Sequence, residues 1–217
     1  MVHVVHAGNR NLYRNALSQM YCDRKRIFCD ALGWKIPVAA GIFEIDQFDT
    51  DDAVYLLDID PQDDRHLGST RLLPSTKPHI LGSLFPALCD QSVPRGPDIW
   101  EITRFCTAPR LRREQTLRAR SHLWVALAEF ALRYGISRYT CVAEVPWMAT
   151  LQEYAWRSSP LGEPREINGE ALGALIVENS SHSLLDLRVK TGVRETVLES
   201  RGAPFAVYPL QDLANAS

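Results

Sequence analysis

A carboxylate and a guanidinium stand three positions apart inside an apolar run, Trp100-Glu101-Ile102-Thr103-Arg104-Phe105. Aromatic and β-branched residues, bounded by Pro97-Asp98 and Ala108-Pro109, mark the run as a strand. Charge in such a strand is costly unless it is paired or used. A regular strand turns Ile99, Glu101, Thr103 and Phe105 to one face, and Trp100, Ile102 and Arg104 to the other. One site served by both charges therefore requires a bulge between them. A half-exposed sheet with two structural charges explains the spacing equally well, because ion pairs also perturb carboxylates.

Other charges sit in apolar settings. Arg24 interrupts a helical stripe of Tyr13, Leu17, Met20, Phe28 and Ala31, and Arg71 lies within a strand-like LGSTRLL segment. Glu44, Asp46, Asp49, Asp51 and Asp52 crowd between Lys35 and Asp52, alternating in part with Phe43, Ile45 and Phe48. A snorkelling arginine and a solvated acidic loop are the simplest accounts. Together, though, the charges suit a zwitterionic ligand. Arginines would hold a carboxylate bidentately, aspartates an amine or sulfonium, and Trp34 or Phe28 would face a sulfonium or an adenine ring. Arg110, Arg112, Arg113, Arg118 and Arg120 straddle the start of a long helix. Basic residues there oppose the helix dipole, and the free N–H groups of a helix start suit a phosphate such as that of phosphopantetheine. A solvated basic first turn is the plainer alternative.

Several chemistries are absent. There is no glycine-rich dinucleotide or P-loop motif, no HExxH and no Gly-x-Ser-x-Gly. The six histidines form no i, i+4 pair, so no metal is expected. A net charge of −2 gives no footing for nucleic acid or membrane, and no aromatic residues interleave with the arginines. Five cysteines without CxxC spacing read as reduced thiols. With no signal-peptide pattern and no stretch of transmembrane length, a cytoplasmic protein is expected.

These residues need elements to position them. The pattern predicts a helix over about 10–32, an acidic loop, and a hairpin of Val54–Asp60 with Leu67–Leu73. A short helical piece over 80–88 carries Phe85 and precedes the central strand. A helix over about 114–134 follows, apolar almost all round from Leu123 and closed by Gly135. Then come a strand over 138–144, a helix over 147–156, a strand over 171–178 and a short helix over 183–190. The segment 193–217 is poorly patterned, and its last four residues are expected to fray. No repeat or linker divides the 217 residues, so a single α/β domain over 1–217 is expected, antiparallel in its first half.

The residues from about Tyr13 to Val177 resemble the acyl-homoserine lactone synthases, the LuxI-type autoinducer synthases. The resemblance rests on Arg24, Phe28 and Trp34, then Asp46 and Asp49, then Ser69-Thr70-Arg71-Leu72, Phe85, and Glu101 with Arg104. It implies a fold similar to the GNAT acyltransferases: a three-layer sandwich whose twisted mixed sheet, flanked by helices, is splayed at its centre. In place of the glycine-rich pyrophosphate loop of that fold, the chain has Arg110-Leu111-Arg112-Arg113-Glu114-Gln115.

The implied reaction acylates the amine of S-adenosyl-L-methionine from an acyl thioester, then closes the lactone with release of methylthioadenosine. No cofactor is implied. By resemblance, Glu101 is the base, acting with Arg104. Arg24, Phe28, Trp34, Asp46, Asp49, Arg71, Arg104 and Phe105 hold adenosylmethionine, with the 1–52 segment mobile over it. Phe85, Trp100, Leu123, Ala143, Trp147 and Trp156 are acyl-pocket candidates, though large aromatics also serve as plain core. Arg110, Arg112, Arg113 and Arg118 would dock the phosphopantetheine or carrier. The donor is acyl-carrier protein or acyl-CoA; the 44–50 and 160–169 loops are similar to the CoA-using subset. Ala143 stands where relatives making 3-oxo products tend to carry Thr, which argues against a 3-oxo chain. A GNAT-like enzyme acting on another amine and a non-enzymatic binding module are the competing readings; a binding module would not need Glu101, Arg71 and Arg104 together.

Overall fold

The computed structural model describes residues 1–153 and 156–206. In chain order the strands are β1 (Val2–Val5), β2 (Val38–Ala39), β3 (Phe43–Glu44), β4 (Val54–Ile59), β5 (His66–Pro74) and β6 (Ile99–Thr107). They continue with β7 (Arg138–Glu144), β8 (Ser158–Pro160), β9 (Arg165–Ile167), β10 (Glu170–Glu178) and β11 (Leu198–Glu199). The helices are α1 (Arg14–Arg24), α2 (Ile80–Leu84), α3 (Arg113–Tyr134), α4 (Val145–Glu153) and α5 (Ser181–Thr191). The main sheet runs β11-β1-β4-β5-β6-β7-β10-β8, with β9 on β10, while β2 and β3 form a separate hairpin.

Side-chain alternation divides the core into layers. On β4, Val54 and Leu56 join Leu123–Ala131 of α3, while Tyr55 and Leu57 join Ala16, Leu17 and Met20 of α1. Helices therefore cover both faces of a mixed sheet, as the α/β expectation required. α3 ends where Gly135 adopts a left-handed φ of 69°, a conformation that costs glycine little.

Three local readings are refined. The first helix runs unbroken over 10–31 as expected, but its winding is not uniform: a 3-10 turn over Arg10–Tyr13 leads into α1, and Lys25–Ala31 widens into a π-helix. The wider turn places Phe28 in the interior and leaves Trp34 to bond back to its carbonyl at 2.8 Å. The acidic loop contains the β2–β3 hairpin. The weakly patterned tail is ordered at Leu198–Glu199, which pairs in parallel with β1. Buried Glu129 caps the N–H groups of Val197 and Leu198 at 3.1 and 3.0 Å and pairs with Arg188 at 2.8 Å, a long-range contact that no local periodicity signals. The four terminal residues expected to fray lie outside the described residues, as do residues 154 and 155 of the helix predicted over 147–156.

The site is made by an interruption of the sheet. β6 and β7 pair in parallel at Ile99–Arg138, Trp100–Tyr139 and Glu101–Thr140, after which the ladder stops although both strands continue. On the other edge of β6 the register against β5 shifts between Ser69 and Arg71, so that one extra residue of β6 is accommodated near Arg104. Arg104 takes a φ of 53°, uncommon for a non-glycine residue and worth about 1–3 kcal/mol of strain. The bulge that a shared Glu101–Arg104 site requires is present.

Candidate active site

The bulge reassigns the faces of β6. Trp100 remains on the α3 side, edge-on to Phe130 at 6.0 Å. Arg104 instead joins the Glu101 and Thr103 side, and Phe105 turns to stack on Trp124 at 4.3 Å. Where β6 and β7 part, a cavity of about 830 Å³ opens. Glu101, Thr103, Arg104 and Asp46 give it a polar wall, and Ile102, Phe105, Trp124, Val142, Trp147 and Leu172 an apolar one.

Glu101 is fully buried. Its two oxygens accept the backbone N–H groups of Ile80 and Leu81, each at 2.7 Å. Burial pushes its carboxyl up to about 7, although those N–H bonds and the charges of Arg71 and Arg104 pull the other way. It is thus a carboxyl that gains and loses a proton near neutrality, within a cavity large enough for substrates.

Beside it lies a ring of alternating charge. Arg24 holds Asp49 with two bonds of 2.9 and 3.0 Å and also contacts Glu44. Arg71 holds Asp46 at 2.6 and 3.0 Å and Asp49 at 2.8 Å. Arg104 closes the ring on Glu44 at 3.1 Å and Asp46 at 2.8 Å. Despite its burial, Asp49 is held well below the usual carboxylate range by Arg24 and Arg71. Tyr55 donates to Asp49 at 2.8 Å, and burial with that neighbouring charge raises its phenol. Glu44, Asp46 and Asp49 bring oxygens within 4.8 Å of one another, but three guanidiniums already occupy their lone pairs.

This geometry sorts the residues expected from sequence. Phe28, Trp34, Asp46, Phe85, Glu101, Arg104, Phe105, Ala143 and Trp147 line the cavity together. Arg24, Asp49 and Arg71 do not. They stand behind the lining, consumed by one another, because their long side chains find full pairing inside the protein. Arg24 is fully buried rather than snorkelling. Trp100, Leu123 and Trp156 also leave the pocket: Trp100 packs on Phe130, Leu123 lies in the α3 core, and Trp156 sits edge-on to Trp124 and Tyr139 at 5.9 and 6.1 Å.

None of the four docking arginines reaches the cavity. Arg110 pairs with buried Asp23 at 2.7 Å, while Arg112, Arg113 and Arg118 are exposed. Sequence reasoning missed Glu44, Trp124, Cys141 and Glu144. Glu44 was one of five crowded acids, and its apolar neighbours Phe43 and Ile45 were the available signal. Trp124 looked like any other residue of an apolar helix. No helix among the described residues is long and apolar enough to cross a membrane.

The model of the autoinducer synthase family matches residues 9–186. The chain belongs to that family. It is an acyl-homoserine lactone synthase, an acyltransferase whose reaction joins an acyl group to adenosylmethionine and closes the lactone. The isovaleryl-homoserine lactone synthase of Bradyrhizobium diazoefficiens is 31% identical over 198 residues, covering 91% of this chain and 88% of that one. The solved structure of BjaI, described as a CoA-dependent acyl-homoserine lactone synthase with SAM and isopentyl-CoA, is 29% identical with a TM-score of 0.88 over 98% of this chain and 99% of that one. MesI, also described as CoA-dependent, is 28% identical with a TM-score of 0.82, covering 91% and 98%.

Proposed function

We propose that the cavity of this synthase takes S-adenosyl-L-methionine against its polar wall and an acyl-CoA against its apolar wall, with Glu101 accepting the proton of the attacking amine. The observation that carries this reading is Glu101 itself, a fully buried carboxyl poised near neutrality at the cavity wall.

The substrate ammonium gives one proton to ionised Glu101, and the freed nitrogen attacks the thioester carbonyl. The tetrahedral adduct collapses to the amide. The carbon–sulfur bond of the thioester breaks, and the departing thiolate takes up the remaining proton. The carboxylate oxygen then attacks the γ-carbon of the adenosylmethionine, and the sulfonium bond electrons leave with neutral methylthioadenosine. Arg104, held at Glu44 and Asp46, keeps its Nη1 free of partners among the described residues and is available to the substrate carboxylate. Arg24, Arg71 and Asp49 act one layer back, fixing Asp46 and Arg104 in place.

One observation supports CoA over a carrier protein: both structural relatives above are described as CoA-dependent. Phe105, Trp124 and Trp147 meet at ring distances of 4.3, 5.8 and 6.3 Å and close the apolar wall, which favours a short or branched acyl group. The test is mass spectrometry of purified protein given adenosylmethionine and a panel of acyl-CoAs and acyl-carrier proteins. Lactone with methylthioadenosine from short acyl-CoAs is expected. Product from carrier substrates alone overturns the donor assignment, and acyl transfer to another amine without methylthioadenosine overturns the reading.

A further inference from the structure

The charged residues that line the cavity are Lys35, Asp46, Glu101, Arg104, Glu144 and Glu170. Most are accounted for. Asp46 is matched by Arg71 and Arg104, and Glu101 is held by two backbone N–H groups. Lys35 and Glu170 are exposed, where solvent and salt screen them. Glu144, at the end of β7, is different. It is half-buried and has no cationic partner among the described residues. Its Oε1 accepts the indole N–H of Trp34 at 3.4 Å, a long contact that still turns the carboxylate toward the aromatic wall.

That wall has a definite polarity. Trp34 stacks on Phe28 at 4.8 Å, and the guanidinium of Arg104 lies over both rings at 5.6 and 5.4 Å. Trp34 therefore carries a matched cation over its ring and an unmatched anion at its edge. A half-buried carboxylate without a counter-ion beside an aromatic surface favours a cationic ligand centre. Of the two substrates proposed above, only adenosylmethionine carries a fixed cation.

We infer that Glu144 is a specificity-determining residue whose carboxylate supplies the counter-charge for the sulfonium of S-adenosyl-L-methionine. The inference rests on the adenosylmethionine reading and extends it to product release. Lactone closure converts the sulfonium to a neutral thioether, so the attraction that holds the substrate vanishes at the step that makes the by-product. The site then discriminates substrate from methylthioadenosine by charge.

The test is calorimetric binding to the full chain of two ligands that differ at the sulfur, S-adenosylmethionine and the neutral thioether S-adenosylhomocysteine. Glu144→Gln keeps an acceptor for the Trp34 N–H and removes the charge. It is expected to weaken adenosylmethionine roughly tenfold, with a loss that shrinks at high salt, while adenosylhomocysteine changes less than about twofold. Glu144→Asp keeps the charge and is expected to retain most of the affinity. Equal losses for both ligands would mean that Glu144 only positions Trp34, and no loss for either would mean that it does not face the sulfur. Either result overturns the inference but leaves the adenosylmethionine reading intact. Failure of the wild-type chain to bind adenosylmethionine would overturn both.

Discussion

Glu44 and Arg104, sixty positions apart in the chain, meet at 3.1 Å in the charged ring beside the cavity. The same carboxylate also contacts Arg24. Because Glu44 is fully buried, Glu44→Gln leaves two guanidiniums short of charge in a dry setting. Breaking a buried pair from one side costs about 3–5 kcal/mol. Urea denaturation is expected to show that loss through a lower midpoint at unchanged slope; a change below about 1 kcal/mol would mean that the ring relaxes around the vacancy.

Glu101→Gln tests the base directly. Loss of a general base lowers turnover by about 10²–10⁴-fold, with adenosylmethionine affinity largely kept. If the ionised form accepts the proton as proposed, wild-type turnover is expected to rise with pH through about 7, and the variant to lose that limb. The stability consequence has the opposite sense. Glu101 is raised in the folded protein, so its contribution is full below about 4.5 and is lost as pH rises through about 7. Asp49 is lowered, so its contribution is present above its ordinary range and lost as pH falls below it. Denaturation of wild type and Glu101→Gln across this range is expected to show the difference between them shrinking as the pH is lowered.

Trp147 lies edge-on to Phe105 at 5.8 Å on the apolar wall. Trp147→Ala is expected to move the preferred acyl group toward longer chains, read by mass spectrometry with competing acyl-CoAs. One methylene in a hydrophobic pocket is worth about 10–200-fold in selectivity, so the change in product ratio will be easily resolved. An unaltered profile would place the chain end elsewhere.

The basic patch separates into two behaviours. Arg110→Ala removes a partner of buried Asp23, whose carboxyl is held low by His66 and Arg110 against burial. It is expected to lower stability by about 1–3 kcal/mol. Arg113→Glu and Arg118→Glu alter exposed residues and are expected to leave the melting temperature nearly unchanged. If they contact donor phosphates, the donor KM rises in those variants, and the effect fades with salt.

Element types were largely legible in the sequence because periodicity and punctuation are local. Gly135 closes α3 as expected, and the strand over 138–144 has the bounds anticipated for it. The bulge at Arg104 was inferable as a condition, since Glu101 and Arg104 could not otherwise share a face. What local pattern could not convey was who pairs with whom. Arg24, Arg71, Asp46 and Asp49 were recognisable as charges with a purpose, but a ligand and a mutual ion-pair ring make the same demand on composition. Trp100 and Trp124 are both aromatics in apolar segments. Trp100 sits where β6 and β7 are still paired, opposite Tyr139, whereas Trp124 lies under Phe105 beyond the point where the strands part, and that tertiary relation decides that Trp124 reaches the cavity and Trp100 does not.

The parting of β6 and β7 after three paired positions makes the cavity, proposed above as the acyl site, a property of strand register. The wall formed by Ile102, Phe105, Trp124, Val142 and Trp147 is carried on these two strands and the helices packed against them. Its shape changes by exchanging side-chain volume along them. On the proposed reading, single substitutions there would retune the signal molecule while the chemistry proposed for Glu101 stays untouched, giving lineages of this architecture a short mutational path to a private chemical dialect.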